Sequence, residues 1–170
     1  MKKRLKSIIA ILIILIISVL GYIITIKLNH NREITEQIKM IPDFSFETLE
    51  GEIFTQKNLK QLSTVFIYFN SECESCSLET IKLKKRLTDF ENKEIIFISY
   101  ENKDSILKFA RKHQLYNKEN IRFLEDKKGV FSQIFNIETI PYIFVYDREK
   151  QLKGKFKGIT KIDKILEALK

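Results

Sequence analysis

The sequence predicts an α/β sandwich on a central mixed sheet, with one membrane-spanning helix ahead of it. Three observations carry that reading. Continuous apolar, β-rich runs alternate with segments whose apolar residues recur at helical spacing. Short alternating segments that read as hairpins open and close this pattern. Residues 7–26 form an apolar run with no charged residue. Length sets the scale, because 170 residues hold one ordinary domain and not two. With 44% hydrophobic and 31% charged residues, the chain is not a disordered tail.

The apolar run, SIIAILIILIISVLGYIITI, contains only Ser7, Ser18, Gly21 and Thr25 as exceptions. A helix rising about 1.5 Å per residue carries a run of this length across roughly 30 Å of hydrocarbon. Lys2, Lys3, Arg4 and Lys6 precede it with no acid among them, and they supply half of the formal +8 charge. A cleavable signal has an apolar core of about 7–15 residues and a small-x-small site. This run is longer and ends in Ile26-Lys27-Leu28-Asn29-His30, with no such site and no cysteine to carry a lipid. A buried helix of a soluble protein would keep a polar face. The expectation is therefore a cytoplasmic basic leader over 1–6, an uncleaved transmembrane anchor over 7–26 and a polar stalk over 27–40. Residues 41–170 form the remaining domain. The bias of Lys and Arg places that domain on the extracytoplasmic side of a single-pass protein of the cell membrane, in the periplasm or on the outer face.

Within the domain, Phe44-Ser45-Phe46-Glu47 alternates, Glu50-Gly51-Glu52 turns, and Ile53-Phe54-Thr55 resumes, which is a hairpin signal. Thr64 to Phe69 is a continuous apolar run, as expected of a strand covered on both faces. A helix is expected from Cys73 to Phe90, with Leu78, Ile81, Leu83, Leu87 and Phe90 as its stripe. Glu94 to Tyr100 reads as a second buried strand. Asp104 and Ser105 are expected to start a helix bearing Ile106, Leu107, Phe109 and Ala110. Ile121 to Leu124 reads as a short extended segment, and Val130, Phe131, Ile134 and Phe135 as a short amphipathic helix. Pro141 opens the strand PYIFVYD, Lys153 to Lys157 pairs with it despite Gly154, and Ile162, Ile165, Leu166 and Leu169 form the closing helix.

The only cysteines, Cys73 and Cys76, stand where a buried strand passes into a helix. Unpaired N–H groups and the positive dipole end at that point stabilise a thiolate. The thiolate is the species that attacks a disulfide. A spacing of three lets the second cysteine, one turn further in, reach the first, making Cys73 the exposed nucleophile and Cys76 the shielded resolving thiol. Three alternatives stand beside this. A structural disulfide over so short a loop would constrain little of the unfolded chain. Half of a zinc site would need partners, yet His30 is in the stalk and His113 is on a different predicted helix. A thiol pair without a role would be a coincidence at such a junction.

At this point the chain resembles a family. Strand–CxxC–helix, followed by further βα elements and a Pro-initiated strand, is similar to the thioredoxin fold. The resemblance is to the membrane-anchored TlpA/ResA-like thiol-disulfide oxidoreductases of bacteria, within the redoxin group, and it covers residues 41–170. Ile41-Pro42-Asp43-Phe44 resembles the proline-aspartate-phenylalanine opening of redoxin domains, which leads into an added N-terminal β-hairpin. Cys73-Glu74-Ser75-Cys76-Ser77-Leu78-Glu79 resembles the family CxxC with a glutamate three residues later. Thr139-Ile140-Pro141 resembles the loop whose proline is cis and faces the cysteines. The resemblance implies that Ile140 offers its backbone to an extended substrate, a form of strand addition. From spacing alone, Glu79 shares a helix side with Cys76 and could exchange protons with the pair; a solvated glutamate on a Lys-rich helix is the alternative. For Pro141, cis bonds make up only about 5–6% of X–Pro bonds, so the residues alone favour trans and the resemblance reverses this.

The chain departs from the family at Glu72, where an aromatic residue is usual, at Ile67, where thioredoxins carry a buried acid, and at Glu74-Ser75, which lacks a proline. The charges of Glu72 and Glu74 oppose the thiolate-stabilising helix end, which suits a reductant more than a strong oxidase. The same residues bear on rival functions. Peroxiredoxins carry P-x-x-x-T/S-x-x-C, but the matching positions before Cys73 hold Phe66 and Asn70. A copper-delivery protein of related fold uses CxxxC with a histidine, and the spacing here is one short. A redox-inactive or sensing thioredoxin-fold binding module is the rival from another class. Nucleic acid is not expected as a partner, because the basic stretch Ile81-Lys82-Leu83-Lys84-Lys85-Arg86 reads as a solvated helix face. The expected partners are disulfide-bearing protein substrates and a membrane electron donor, with no cofactor and no metal.

Overall fold

The computed structural model describes the backbone of residues 2–170 and the side chains of residues 12–29 and 32–170. The basic side chains of the leader, the first residues of the apolar run and His30 lie outside the described side chains. Two compact units divide at residues 36 and 37. The first is the helix α1, Lys2–Gln37, which runs into the second by its last residue. By length and composition it is a candidate membrane span, and its described apolar side chains, from Leu12 to Leu28, are all exposed. The helix continues through Gln37, and Ile38 is already fully buried, its carbonyl accepting from Tyr146 Oη at 2.8 Å. Burying an apolar side chain and satisfying a phenol at one point ties Ile38 into the second unit.

The second unit, thioredoxin-like in architecture, is built on a seven-stranded mixed sheet. Its strands are β1 (Ser45–Thr48), β2 (Ile53–Thr55), β3 (Ser63–Tyr68), β4 (Lys93–Ser99), β5 (Ile121–Glu125), β6 (Tyr142–Tyr146) and β7 (Leu152–Lys157). Their spatial order is β2-β1-β5-β4-β3-β6-β7. β3, β4 and β5 are parallel, as crossover helices require, while the hairpins β1–β2 and β6–β7 are antiparallel. All six residues of β3 are buried, so both of its faces are covered. Gly154, which weakened the expectation of β7, sits inside that strand. A Cβ there would lie 2.8 Å from the Phe156 ring and 3.2 Å from Ala168 Cβ, so a close approach demands glycine.

The helices of this unit are α2 (Glu74–Lys85), α3 (Lys103–Lys112), α4 (Val130–Ile134) and α5 (Ile162–Ala168). One core layer joins Val65, Ile67 and Phe69 to Cys76 and Leu83 of α2, Ile106 and Phe109 of α3, and Ile165 of α5. On the other face of β3, Phe66 and Tyr68 meet Phe131 of α4 with ring centroids 5.7 and 5.8 Å apart. Two boundaries depart from the sequence reading. The helix expected to reach Phe90 stops at Lys85, and a 3-10 turn, Leu87–Phe90, follows. Arg86 leaves helical geometry at φ −121°, ψ 23° and pairs with Asp89 and Asp163, while the tighter turn still buries Phe90 completely. α3 is capped by Asn102, not by Asp104 or Ser105; its Oδ1 accepts from Ser105 N–H at 3.0 Å.

Candidate active site

β3 ends at Tyr68, and the ladder persists one step further through Phe69 N–H to Ile98 carbonyl at 3.0 Å. The chain then turns, with Cys73 N–H donating to Asn70 carbonyl at 3.2 Å, and enters α2 at Cys73 as N-cap. The Cys73 Sγ accepts from Cys76 N–H at 3.3 Å, so the sulfur occupies the place of a capping oxygen and meets one of the unpaired donors of the helix. Both cysteines are free. Cys73 is partly exposed and Cys76 only 2% exposed. Burial, reinforced by the hydrogen bond with Cys73, pushes the Cys76 thiol up to about 12.

Glu79 lies one turn beyond Cys76 and is 1% exposed, so it is not a solvated residue of the Lys-rich face. Its Oε2 accepts from Thr160 N–H at 2.8 Å, and its Oε1 has no hydrogen-bond partner. Desolvation raises its pKa against the lowering effects of Thr160 and Lys82. A raised folded pKa means that the contribution to stability is present below the ordinary carboxylate range. It is lost as pH rises through the elevated value. Glu79→Gln is therefore expected to stabilise the fold more near pH 8 than near pH 4, in chemical denaturation at the two pH values. An equal change at both would contradict the assignment of a buried, unwillingly charged acid.

The Ile140–Pro141 bond is cis. Tyr142, directly after it, pairs with Tyr68 of β3, so the proline loop and the cysteine turn leave adjacent strands at one end of the sheet. Cys73 and Ile140 both pack against the cluster that contains Cys76. Gly158 N–H donates to Pro141 carbonyl at 2.8 Å with Gly158 at φ +69°, a backbone setting that favours glycine. Two residues on, Thr160 reaches Glu79, so one short segment links the proline loop to the acid on α2.

Several residues around this site have no signal in local spacing. Glu101 accepts from both Ser71 N–H and Ser71 Oγ–H at 2.6 Å. His113, 5% exposed, has its Nε2 3.3 Å from Ser77 Oγ and its ring 4.4 Å from that of Phe109. Burial, with Lys112 and Lys84 nearby, lowers its pKa. His113 thus packs on the cysteine helix although it belongs to another. Asp126, 1% exposed, caps α4 by accepting from Val130 and Phe131 N–H at 2.8 Å. Among the described residues no three His, Cys, Asp or Glu side chains are grouped to hold a metal ion.

Residues 38–155 match the AhpC/TSA family. Among solved structures, a secreted disulfide oxidoreductase of Mycobacterium tuberculosis homologous to Escherichia coli DsbE is similar at TM-score 0.63 and 18% identity, covering 78% of this chain and 96% of its own. StoA from Bacillus subtilis is similar at TM-score 0.60 and 18% identity, covering 76% and 98%. Peroxidoxin BcpB from M. tuberculosis is similar at TM-score 0.64 and 16% identity, covering 76% and 92%. At these identities the likeness is one of fold. No curated protein matches the chain in sequence.

Proposed function

The chain belongs to the AhpC/TSA family, and from that premise we propose that it is a membrane-anchored thiol-disulfide oxidoreductase that reduces protein disulfides outside the cytoplasm. The observation that carries this reading is the asymmetry of the two thiols. Cys73 stands partly exposed at a helix N-terminus, and Cys76 is buried behind it with its amide on the Cys73 sulfur. One thiol is placed to attack and the other to resolve.

In the proposed reaction the Cys73 thiolate attacks one sulfur of a substrate disulfide. A mixed disulfide forms and the other substrate sulfur leaves as a thiolate. Cys76 then loses its proton and attacks Cys73 Sγ, which closes the Cys73–Cys76 bond and releases the second substrate thiol. Two electrons pass from the pair to the substrate; Cys76 gives up one proton, and the substrate thiolate that leaves first takes the other from solvent. A buried thiol held near 12 needs a base for its step. Glu79, one turn away with an unpartnered oxygen and a raised pKa, is proposed for that proton. Ile140 and Pro141 are proposed to align the extended substrate. A membrane electron donor is proposed to restore the dithiol, and the candidate span α1 to hold the domain at the membrane.

Peroxide reduction, the nearest rival, is disfavoured by what replaces the peroxidatic pattern. Phe66 is sealed in the aromatic layer, and Asn70 gives its side chain to Tyr100 Oη and Glu72 N–H. The test is capture in cells. Cys76→Ser is expected to accumulate mixed disulfides with envelope proteins, resolved by reducing and non-reducing electrophoresis and mass spectrometry. Their absence, or their persistence in Cys73→Ser/Cys76→Ser, would count against the reading.

A further inference from the structure

The turn that presents Cys73 is held from outside its own element. Ser71 donates its backbone N–H to Glu101 Oε2 and its Oγ–H to Glu101 Oε1, each at 2.6 Å. The carboxylate is itself fixed, because Ser99 Oγ donates to Oε2 at 3.1 Å and accepts from Glu101 N–H at 3.2 Å. Ser99 is fully buried at the end of β4, and its carbonyl accepts from Asp126 N–H at 2.7 Å. The anchor is therefore rigid. Beside it, Asn70 Nδ2 reaches Tyr100 Oη at 3.2 Å. Bonds from a hydroxyl and an amide to an ionised carboxylate are short and about twice as strong as neutral ones. Two of them on one serine leave that residue a single orientation.

We propose that Glu101 is a positioning residue of the redox site, its carboxylate locking the Ser71 turn so that Cys73 is held at the mouth of α2. The proposal rests on the reading of Cys73 as the attacking thiol and adds the group that aims it.

Glu101→Ala and Glu101→Gln separate position from charge, since glutamine keeps an acceptor for Ser71 N–H and loses the charge. The full chain in detergent is assayed for its rate with a small aromatic disulfide. Glu101→Ala is expected to slow the reaction about tenfold. Glu101→Gln is expected to recover most of that rate. An alanine variant as fast as the wild type, or a glutamine variant as slow as alanine, overturns the proposal. Should Glu101→Ala fail to fold, Ser71→Ala removes one of the two bonds from the other side. It is expected to slow the reaction severalfold, and an unchanged rate overturns the proposal. Wild type that does not react faster than Cys73→Ser would instead overturn the underlying redox reading, so the two failures are distinct.

Discussion

Cys73→Ser is expected to abolish disulfide reduction, lowering kcat/KM by roughly a thousandfold or more, as loss of an attacking nucleophile does elsewhere. Serine keeps an oxygen able to accept from Cys76 N–H, so the cap of α2 survives and the fold is preserved. Rate and stability thus part company. Initial rates of thiol release from a protein disulfide, together with thermal unfolding, check this. A variant that retains a tenth of the wild-type rate would mean that Cys73 is not the attacking group. A variant that unfolds would mean that the sulfur is structural.

Phe131→Ala is expected to cost about 3–5 kcal/mol, a large share of the roughly 5–15 kcal/mol that stabilises a domain. α4 is one short turn of helix, and Phe131 is its only fully buried residue. Its ring lies 4.0 Å from Phe135, 6.0 Å from Phe144, 6.2 Å from Phe46 and 5.7 Å from Phe66. Truncation removes the hub that joins the hairpin β1–β2, α4 and the sheet, and leaves a cavity that aromatic neighbours cannot collapse into without leaving their own contacts. Urea unfolding measures it. A loss below about 1 kcal/mol would show that the aromatic layer repacks freely. The cysteines are in the other core layer, so below the unfolding transition the rate of disulfide reduction is expected to stay near that of the wild type.

The central strands were legible because burial on both faces writes itself as unbroken apolar runs, as at Thr64 to Phe69, and the cysteine pair because its chemistry is local to four residues. The end of α2 was not. Leu87 and Phe90 continue the apolar stripe after the backbone has already changed to a 3-10 turn, and periodicity does not separate the two over one turn. The surroundings of the site were less legible still. Ser71 and Glu101 are 30 residues apart, and Ser77 and His113 are 36 apart. Such pairs are created by the parallel crossovers β3–α2–β4 and β4–α3–β5, which bring successive strand ends, or the crossover helices themselves, together and leave no mark in the spacing of either partner. Glu79 was ambiguous for a related reason. Its helix is Lys-rich on the exposed side, and only the approach of Thr160 from the segment after β7 shows on which side it falls.

In the proposed reaction Cys73 and Cys76 act as a two-electron pair toward protein disulfides. The direct measurement mixes the fully reduced chain with an excess of a protein disulfide, quenches with acid, blocks free thiols and counts them by intact mass. The expected result is one Cys73–Cys76 disulfide for each substrate disulfide converted to two thiols, at a rate that Cys73→Ser does not reach. Substrate that stays oxidised while both cysteines remain free, or cysteines that oxidise with no substrate thiol appearing, would contradict it.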